Sequence, residues 1–213
     1  LFNKCLRLTT LPDISKWTTN NVSSMKAMFQ LCSALTALPD ISKWNINKVT
    51  DMSFMFNQCS SLTSLPDISK WNIANVSNIK YLFSECNNLT ALPNISKWNV
   101  SNITDISGMF NKCTAITSIP DISKWDTSKI ENMFALFAKC VSVTKLPDIS
   151  KWNIGNATNI CGMFETCTSL TALPDISGWD TKKLKDMSYL FNKCNKLKEL
   201  PDISKWNTNN VVN

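Results

Sequence analysis

Apolar side chains recur at intervals of three along most of this chain. Between Val22 and Lys48 they fall at Val22, Met25, Met28, Phe29, Cys32, Leu35, Leu38, Ile41 and Trp44. A helix alternates steps of three and four, and a half-buried strand steps by two. A sustained step of three suits neither and predicts a coil that bends round a central core through short turns. Within it, Ser23 to Phe29 has the spacing for one or two helical turns, with Ser23 or Ser24 as the N-cap. In other units Asp51, Asp105 and Asp186 stand near the same start, where a helix dipole favours negative charge. Leu35-Thr36-Ala37-Leu38 reads as a short strand. The threonine recurs as Thr9, Thr36, Thr63, Thr90, Thr117, Thr144 and Thr171, a ladder that β-branched side chains favour. Pro39 ends that strand because it has no N–H to give, and Leu38-Pro39-Asp40-Ile41 fits a type I turn. The pairs Gln30-Leu31, Asn57-Gln58, Ser84-Glu85 and Asn111-Lys112 vary from unit to unit, which places them on an outer rim.

The whole pattern returns every 27 residues. Trp17, Trp44, Trp71, Trp98, Trp125, Trp152, Trp179 and Trp206 keep this step, as do Cys5, Cys32, Cys59, Cys86, Cys113, Cys140, Cys167 and Cys194. A fixed period of this size is the signature of a stacked repeat array. Each unit is too small to bury its own apolar face and covers it with its neighbours. Residues 1–213 therefore read as a single solenoid of about eight units. Neither end carries a polar capping unit, so the expectation is a fragment of a longer array or a subunit that stacks.

Composition narrows the chemistry. The apolar fraction of 44% suffices for a packed core. There is no histidine, which removes the commonest general base and metal ligand. The four glycines form no phosphate-cradling loop, and no apolar run reaches the roughly 18 residues of a membrane span. The net charge of +6 is carried almost wholly by lysine, with Arg7 the only arginine. Nucleic-acid readers lean on arginine for bidentate contacts, so no nucleic-acid partner is expected. The charge reads instead as a solvated face.

The unit Val49, Met52, Met55, Phe56, Cys59, Leu62, Leu65, Pro66, Asp67, Ile68, Ser69, Trp71 and its equivalents resembles the BspA-like leucine-rich repeats. It is most similar to the branch described from mycoplasma-type surface proteins of unknown function. The 27-residue step and the regular Leu-Pro-Asp-Ile-Ser-Lys-Trp depart from the commonest, somewhat shorter forms. The resemblance implies a curved solenoid, cell-surface or extracellular placement, adhesion or protein binding, and no catalysis. The expected fold class is thus an α/β repeat solenoid. It is a leucine-rich-repeat-like right-handed coil, with one short parallel strand and one short helical turn per unit.

Several columns invite a site. The cysteines lack the close C-x-x-C pairing of a metal centre. Stacked Cα atoms about 4.8 Å apart fall in the range of disulfides, but side chains in register point the same way, so buried, reduced thiols are expected. Cys161 stands outside the column and is a candidate free or cross-chain thiol. The tryptophans read as core packing rather than a stacking platform. Asp13, Asp40, Asp67, Asp121, Asp148, Asp175 and Asp202, with lysines three residues on, read as turn caps with cross-column ion pairs, not a calcium site. Sequons stand at Asn21, Asn75, Asn88, Asn94, Asn99, Asn102 and Asn156. Four of them, Asn21, Asn75, Asn102 and Asn156, share one phase after the tryptophan and are the first candidates for glycosylation. No cofactor or metal is called for.

Two functions compete. One is a non-enzymatic extracellular or cell-surface scaffold that adheres to surface or matrix proteins or glycans. The other is a subunit of a polymeric extracellular fibre whose partner is itself, stacked end to end. The expected strand face is monotonous, Thr followed mostly by Ala, Ser or Thr, and recognition solenoids vary their binding face. That monotony leans toward the fibre.

Overall fold

The computed structural model describes residues 1–213 and shows a solenoid of stacked coils. The step of three has a direct cause. Backbone N–H groups donate to the carbonyl three residues back at Met28→Met25 (3.2 Å), Cys32→Phe29 (3.1 Å), Leu35→Cys32 (3.1 Å), Trp44→Ile41 (3.1 Å) and Val49→Ile46 (2.9 Å). Each coil is a chain of β-turns whose first and last residues face the core, so inward positions fall three apart.

No helix forms in Ser23–Phe29, contrary to the sequence expectation. The alternate amides of this stretch leave the coil altogether. Met25, Ala27, Phe29 and Leu31 donate to Asp51 (2.9 Å), Ser53 (2.9 Å), Met55 (2.9 Å) and Asn57 (2.8 Å) of the next coil. The intervening amides close turns at Met28, Gln30 and Cys32 within the coil. The third residues of the turns 25–28 and 29–32 are Ala27 at φ 55° and Leu31 at φ 63°, the geometry of type II turns. A helix needs every amide to turn inward; here half of them tie coil to coil.

The parallel pairing also sits elsewhere than expected. Single-residue parallel bridges join Ser24, Asp51, Asn78, Asp105, Asn132, Asn159 and Asp186 in succession, and no longer strand forms. The predicted strand Leu35–Leu38 holds only Thr63→Thr36, Thr90→Thr63 and Thr171→Thr144 amide bonds at 3.2–3.3 Å. From Ala37 to Lys43 no backbone bond crosses to the next coil. Proline in every unit removes a donor there, and the coils part enough to leave a cleft of 560 Å³ lined by Leu38, Asp40, Lys43, Pro66, Asp67 and Lys70. The bridge residues are not helix caps either. Their side-chain oxygens accept the amide two residues on, as in Ser53→Asp51 (2.8 Å), Lys80→Asn78 (3.1 Å) and Ser107→Asp105 (2.9 Å). In this half-buried column no two aspartates are neighbours, because amides stand between Asp51, Asp105 and Asp186. Like charges one coil apart are thereby avoided.

Three columns build the core. Phe2, Phe29, Phe56, Phe83, Phe110, Phe137, Phe164 and Phe191 stack with successive ring centroids 5.5–6.1 Å apart. From Trp44 onward every indole is buried, and its N–H donates to an isoleucine carbonyl of the preceding coil at 3.0–3.3 Å. Trp17, in the first coil, is 39% exposed. The column cysteines from Cys32 to Cys194 are free thiols whose Sγ donates to a phenylalanine carbonyl of the preceding coil at 3.0–3.1 Å. Tryptophan and cysteine thus each supply apolar bulk and one donor, which adds an inter-coil hydrogen bond to a carbonyl that already accepts the turn-closing amide of its own coil.

Candidate functional site

The face formed by the residues of the tandem turns that point away from the core columns differs from unit to unit, and part of it is buried by the neighbouring coils. Its first column reads Lys26, Ser53, Lys80, Ser107, Phe134, Cys161, Ser188, and its second Ala27, Phe54, Tyr81, Gly108, Ala135, Gly162, Tyr189. Its third reads Gln30, Asn57, Ser84, Asn111, Ala138, Glu165, Asn192. The fourth is Lys4, Leu31, Gln58, Glu85, Lys112, Lys139, Thr166, Lys193. Contacts join the columns into one surface: Lys80 lies 6.0 Å from the Phe54 ring centroid, and the Cα of Gly162 faces the Glu165 side chain. This ladder face varies in size, charge and aromaticity, while the Leu-Pro-Asp-Ile-Ser-Lys face scarcely varies.

The pairs expected on an outer rim are therefore part of the ladder face. Asn57 and Ser84 are buried, and the third column is linked coil to coil. Gln30 donates to Asn57 Oδ1 (3.0 Å), Asn57 to the Ser84 carbonyl (3.2 Å), Asn111 to Ser84 Oγ (3.4 Å) and Asn192 to Glu165 Oε1 (3.3 Å). The fourth column carries the Lys112–Glu85 ion pair at 3.3 Å, and Lys80 pairs with Asp105 at 3.9 Å. Ser53 Oγ is the one buried side-chain polar atom without a partner.

The other sequence candidates divide. Cys161 is a free thiol, but it belongs to this face and is only 9% exposed. The Ser188 hydroxyl lies 3.1 Å from its Sγ and 2.7 Å from Asp186 Oδ1. Burial pushes the thiol up from its ordinary value, so thiolate chemistry is disfavoured there. The exposed aspartates cap turns: Asp40 accepts from the Ser42 amide at 2.9 Å, and Asp13, Asp67, Asp121, Asp148, Asp175 and Asp202 do the same two residues on. Hydrogen bonds from the serine side chain and backbone hold these carboxyls below the usual value. The expected ion pairs with the lysine column do not form, since the only two salt bridges lie on the ladder face. Among the sequons, the Nδ2 groups of Asn75, Asn102 and Asn156 donate to carbonyls of the preceding coil at 2.6–2.8 Å. Those of Asn21, Asn88, Asn94 and Asn99 have no partner, and all four residues are exposed. No group of three or more acidic, cysteine or histidine side chains is placed to hold a metal ion. No helix is long and apolar enough to cross a membrane.

Glycine enters the second column for two different reasons. Gly108 has φ +58°, and a Cβ there would lie 2.2 Å from the Tyr81 ring. Gly162 has φ +60°, but a Cβ there meets nothing nearer than Glu165 at 3.6 Å. Gly162→Val should cost only the left-handed backbone penalty, about 1–2 kcal/mol. Gly108→Val should cost about 1–3 kcal/mol more through overpacking. Tyr81→Gly in the same chain should recover that extra part and leave the backbone part. Urea denaturation of the four proteins measures this; equal losses at Gly108 and Gly162 would show that the ring does not rest on Gly108.

This architecture is that of a tandem-repeat solenoid with one coil per 27 residues. The chain belongs to the family described as Mycoplasma protein of unknown function, DUF285, which matches residues 1–118, 87–174 and 140–213. Among solved structures, a leucine-rich repeat protein of T. pallidum is similar at 18% identity over 73% of each chain, with a TM-score of 0.41. A leucine-rich cell surface protein of Faecalibacterium prausnitzii A2-165 is similar at 16% identity over 94% of this chain and 74% of that one, with a TM-score of 0.26. A leucine-rich repeat protein of Bacteroides ovatus ATCC 8483 is similar at 15% identity over 98% and 78%, with a TM-score of 0.25. No curated protein matches the chain.

Proposed function

We propose that the protein is a non-enzymatic recognition scaffold of the cell surface or extracellular space that reads its partner with the ladder face. One observation carries this reading. Side chains of differing size, charge and aromaticity succeed one another along the ladder face, where inter-coil backbone hydrogen bonds fix their positions. A recognition array varies the groups it presents, because each meets a different part of the ligand, and a solenoid offers them on a long regular surface. The monotony that leaned toward a fibre belongs to the Thr-Leu-Pro face, where inter-coil backbone bonds form only at Thr63, Thr90 and Thr171.

The test is capture of cell-surface and matrix material by the immobilised protein and two variants. Lys80→Ser with Tyr81→Gly and Lys112→Gln alters the ladder face; Thr63→Ala with Thr90→Ala and Thr117→Ala alters the other. The ladder-face change should abolish capture and the threonine change should spare it; the reverse pattern overturns the reading. The alternative, an extracellular fibre of end-to-end copies, is tested by electron microscopy of the same material. Discrete particles are expected, and continuous filaments would support the fibre.

Glycosylation, where a eukaryotic secretory host is used, should fall on Asn21, Asn88, Asn94 and Asn99, whose acceptor nitrogens are unpaired. Peptide mapping by mass spectrometry checks this, and a glycan on Asn102 of the folded protein would count against it.

A further inference from the structure

Two adjacent coils break the ladder face in a way the fold does not require. Phe54 and Tyr81 hold the left-handed position of the second column at φ 60° and 54°, as Ala27, Ala135 and Tyr189 do in other coils, and bulky side chains are disfavoured there. Gly108 and Gly162 fill the same backbone position in other coils without that cost. The two rings lie within 7° of parallel with centroids 5.1 Å apart, and Tyr81 spreads over Gly108. Neither ring enters the hydrophobic core, and both stay half-buried. The left-handed backbone belongs to the fold, and what points to function is the stacked aromatic pair displayed where alanine or glycine serves in other coils.

The surroundings say what the pair meets. The four ladder-face columns hold six lysines, Lys4, Lys26, Lys80, Lys112, Lys139 and Lys193, against two acids, Glu85 and Glu165. Only Lys80 and Lys112 have a carboxylate partner. The face is therefore an apolar anchor beside two paired lysines, Lys80 and Lys112, with the unpaired Lys26 and Lys139 in the coils to either side. We infer that Phe54 and Tyr81 anchor an acidic polypeptide segment, which runs along the ladder face with an apolar side chain against the two rings and its carboxylates toward Lys26, Lys139 and their neighbours. This rests on the ladder face being the recognition face. Aromatic anchors within a polar rim are the anatomy of a protein-binding hot spot. Phosphate and base recognition would call for arginine, and the ladder-face columns hold none.

The test is fluorescence anisotropy of the full chain with a labelled random copolymer of glutamate and tyrosine, at low and physiological ionic strength. A lysine–tyrosine copolymer and heparin serve as comparison probes. The acidic copolymer should bind, more weakly as salt rises. Phe54→Gly with Tyr81→Gly should weaken binding at least roughly tenfold while the thermal midpoint holds, because glycine suits the left-handed backbone. Lys26→Gln with Lys139→Gln should weaken binding and flatten its salt dependence. The proposal is overturned if the copolymer does not bind, if the double glycine variant binds as well as the parent, or if heparin binds more tightly than the copolymer. The recognition reading is judged separately. If captured material depends on the ladder face but survives the loss of both rings, the anchor is wrong and the face stands. If capture never depends on the ladder face, both fall.

Discussion

Raising the pH from about 8 to about 10 is expected to remove about 4 kcal/mol of stability through three side chains alone. Burial holds the thiols of Cys59, Cys113 and Cys167 at about 12 against an ordinary 9.0. Below pH 9 folded and unfolded chains both carry neutral thiols, so stability is full. Above it the unfolded chain ionises while the folded one does not, and each thiol forfeits about 1.4 kcal/mol per pH unit until its folded value is reached. Cys86 and Cys140 are also pushed up, by burial first and by neighbouring cysteines second, and add to the loss. Urea midpoints at the two pH values, under reducing conditions, measure the effect. Cys113→Val should be slightly less stable at pH 8, because the Phe83 carbonyl keeps the Cys86 amide but loses its inter-coil donor, yet it should fall less between the two values. An unchanged midpoint at pH 10 would mean that the column is not closed to solvent.

The cysteine, tryptophan and phenylalanine columns were legible because a solenoid core is written as fixed-period identity, and burial tolerates few alternatives at each step. The ladder was misplaced for a local reason. Met25, Met28 and Phe29 satisfy a helical spacing as well as they satisfy two successive turns, and propensity cannot separate the two. Type II turns normally announce themselves by glycine at the third position, but Ala27, Phe54, Tyr81, Lys112 and Lys139 stand there instead. The inter-coil hydrogen bonds, invisible in one unit, force the left-handed geometry upon them. Two signals did exist. Gly108 and Gly162 fall in one column, and Asp or Asn falls three positions before it in most units, which together mark a turn rather than a helix. The ladder face was legible in the same indirect way. Gln30, Asn57, Ser84 and Asn111 vary in identity but keep the capacity to hydrogen-bond, which is the mark of a linked column and not of a free rim.

Phe110→Ala is expected to cost about 3–5 kcal/mol. The ring is fully buried and stacks on Phe83 at 6.1 Å and Phe137 at 5.7 Å, so its loss opens a cavity shared by two inter-coil interfaces. Phe2→Ala removes the same ring where only one side is covered and the ring is half-buried, and should cost about half as much or less. Stability in a stacked array is close to a sum of unit and nearest-neighbour terms. A central cavity therefore weakens the coupling between the coils before Phe110 and those after it. Urea unfolding of the Phe110 variant should broaden or split, with a lower apparent m-value as the transition ceases to be all-or-none. The Phe2 variant should keep one sharp transition. Equal costs for the two substitutions would mean that the core is not built from nearest-neighbour stacking. The ladder-face hydrogen bonds, present in every coil, would then be the dominant tie.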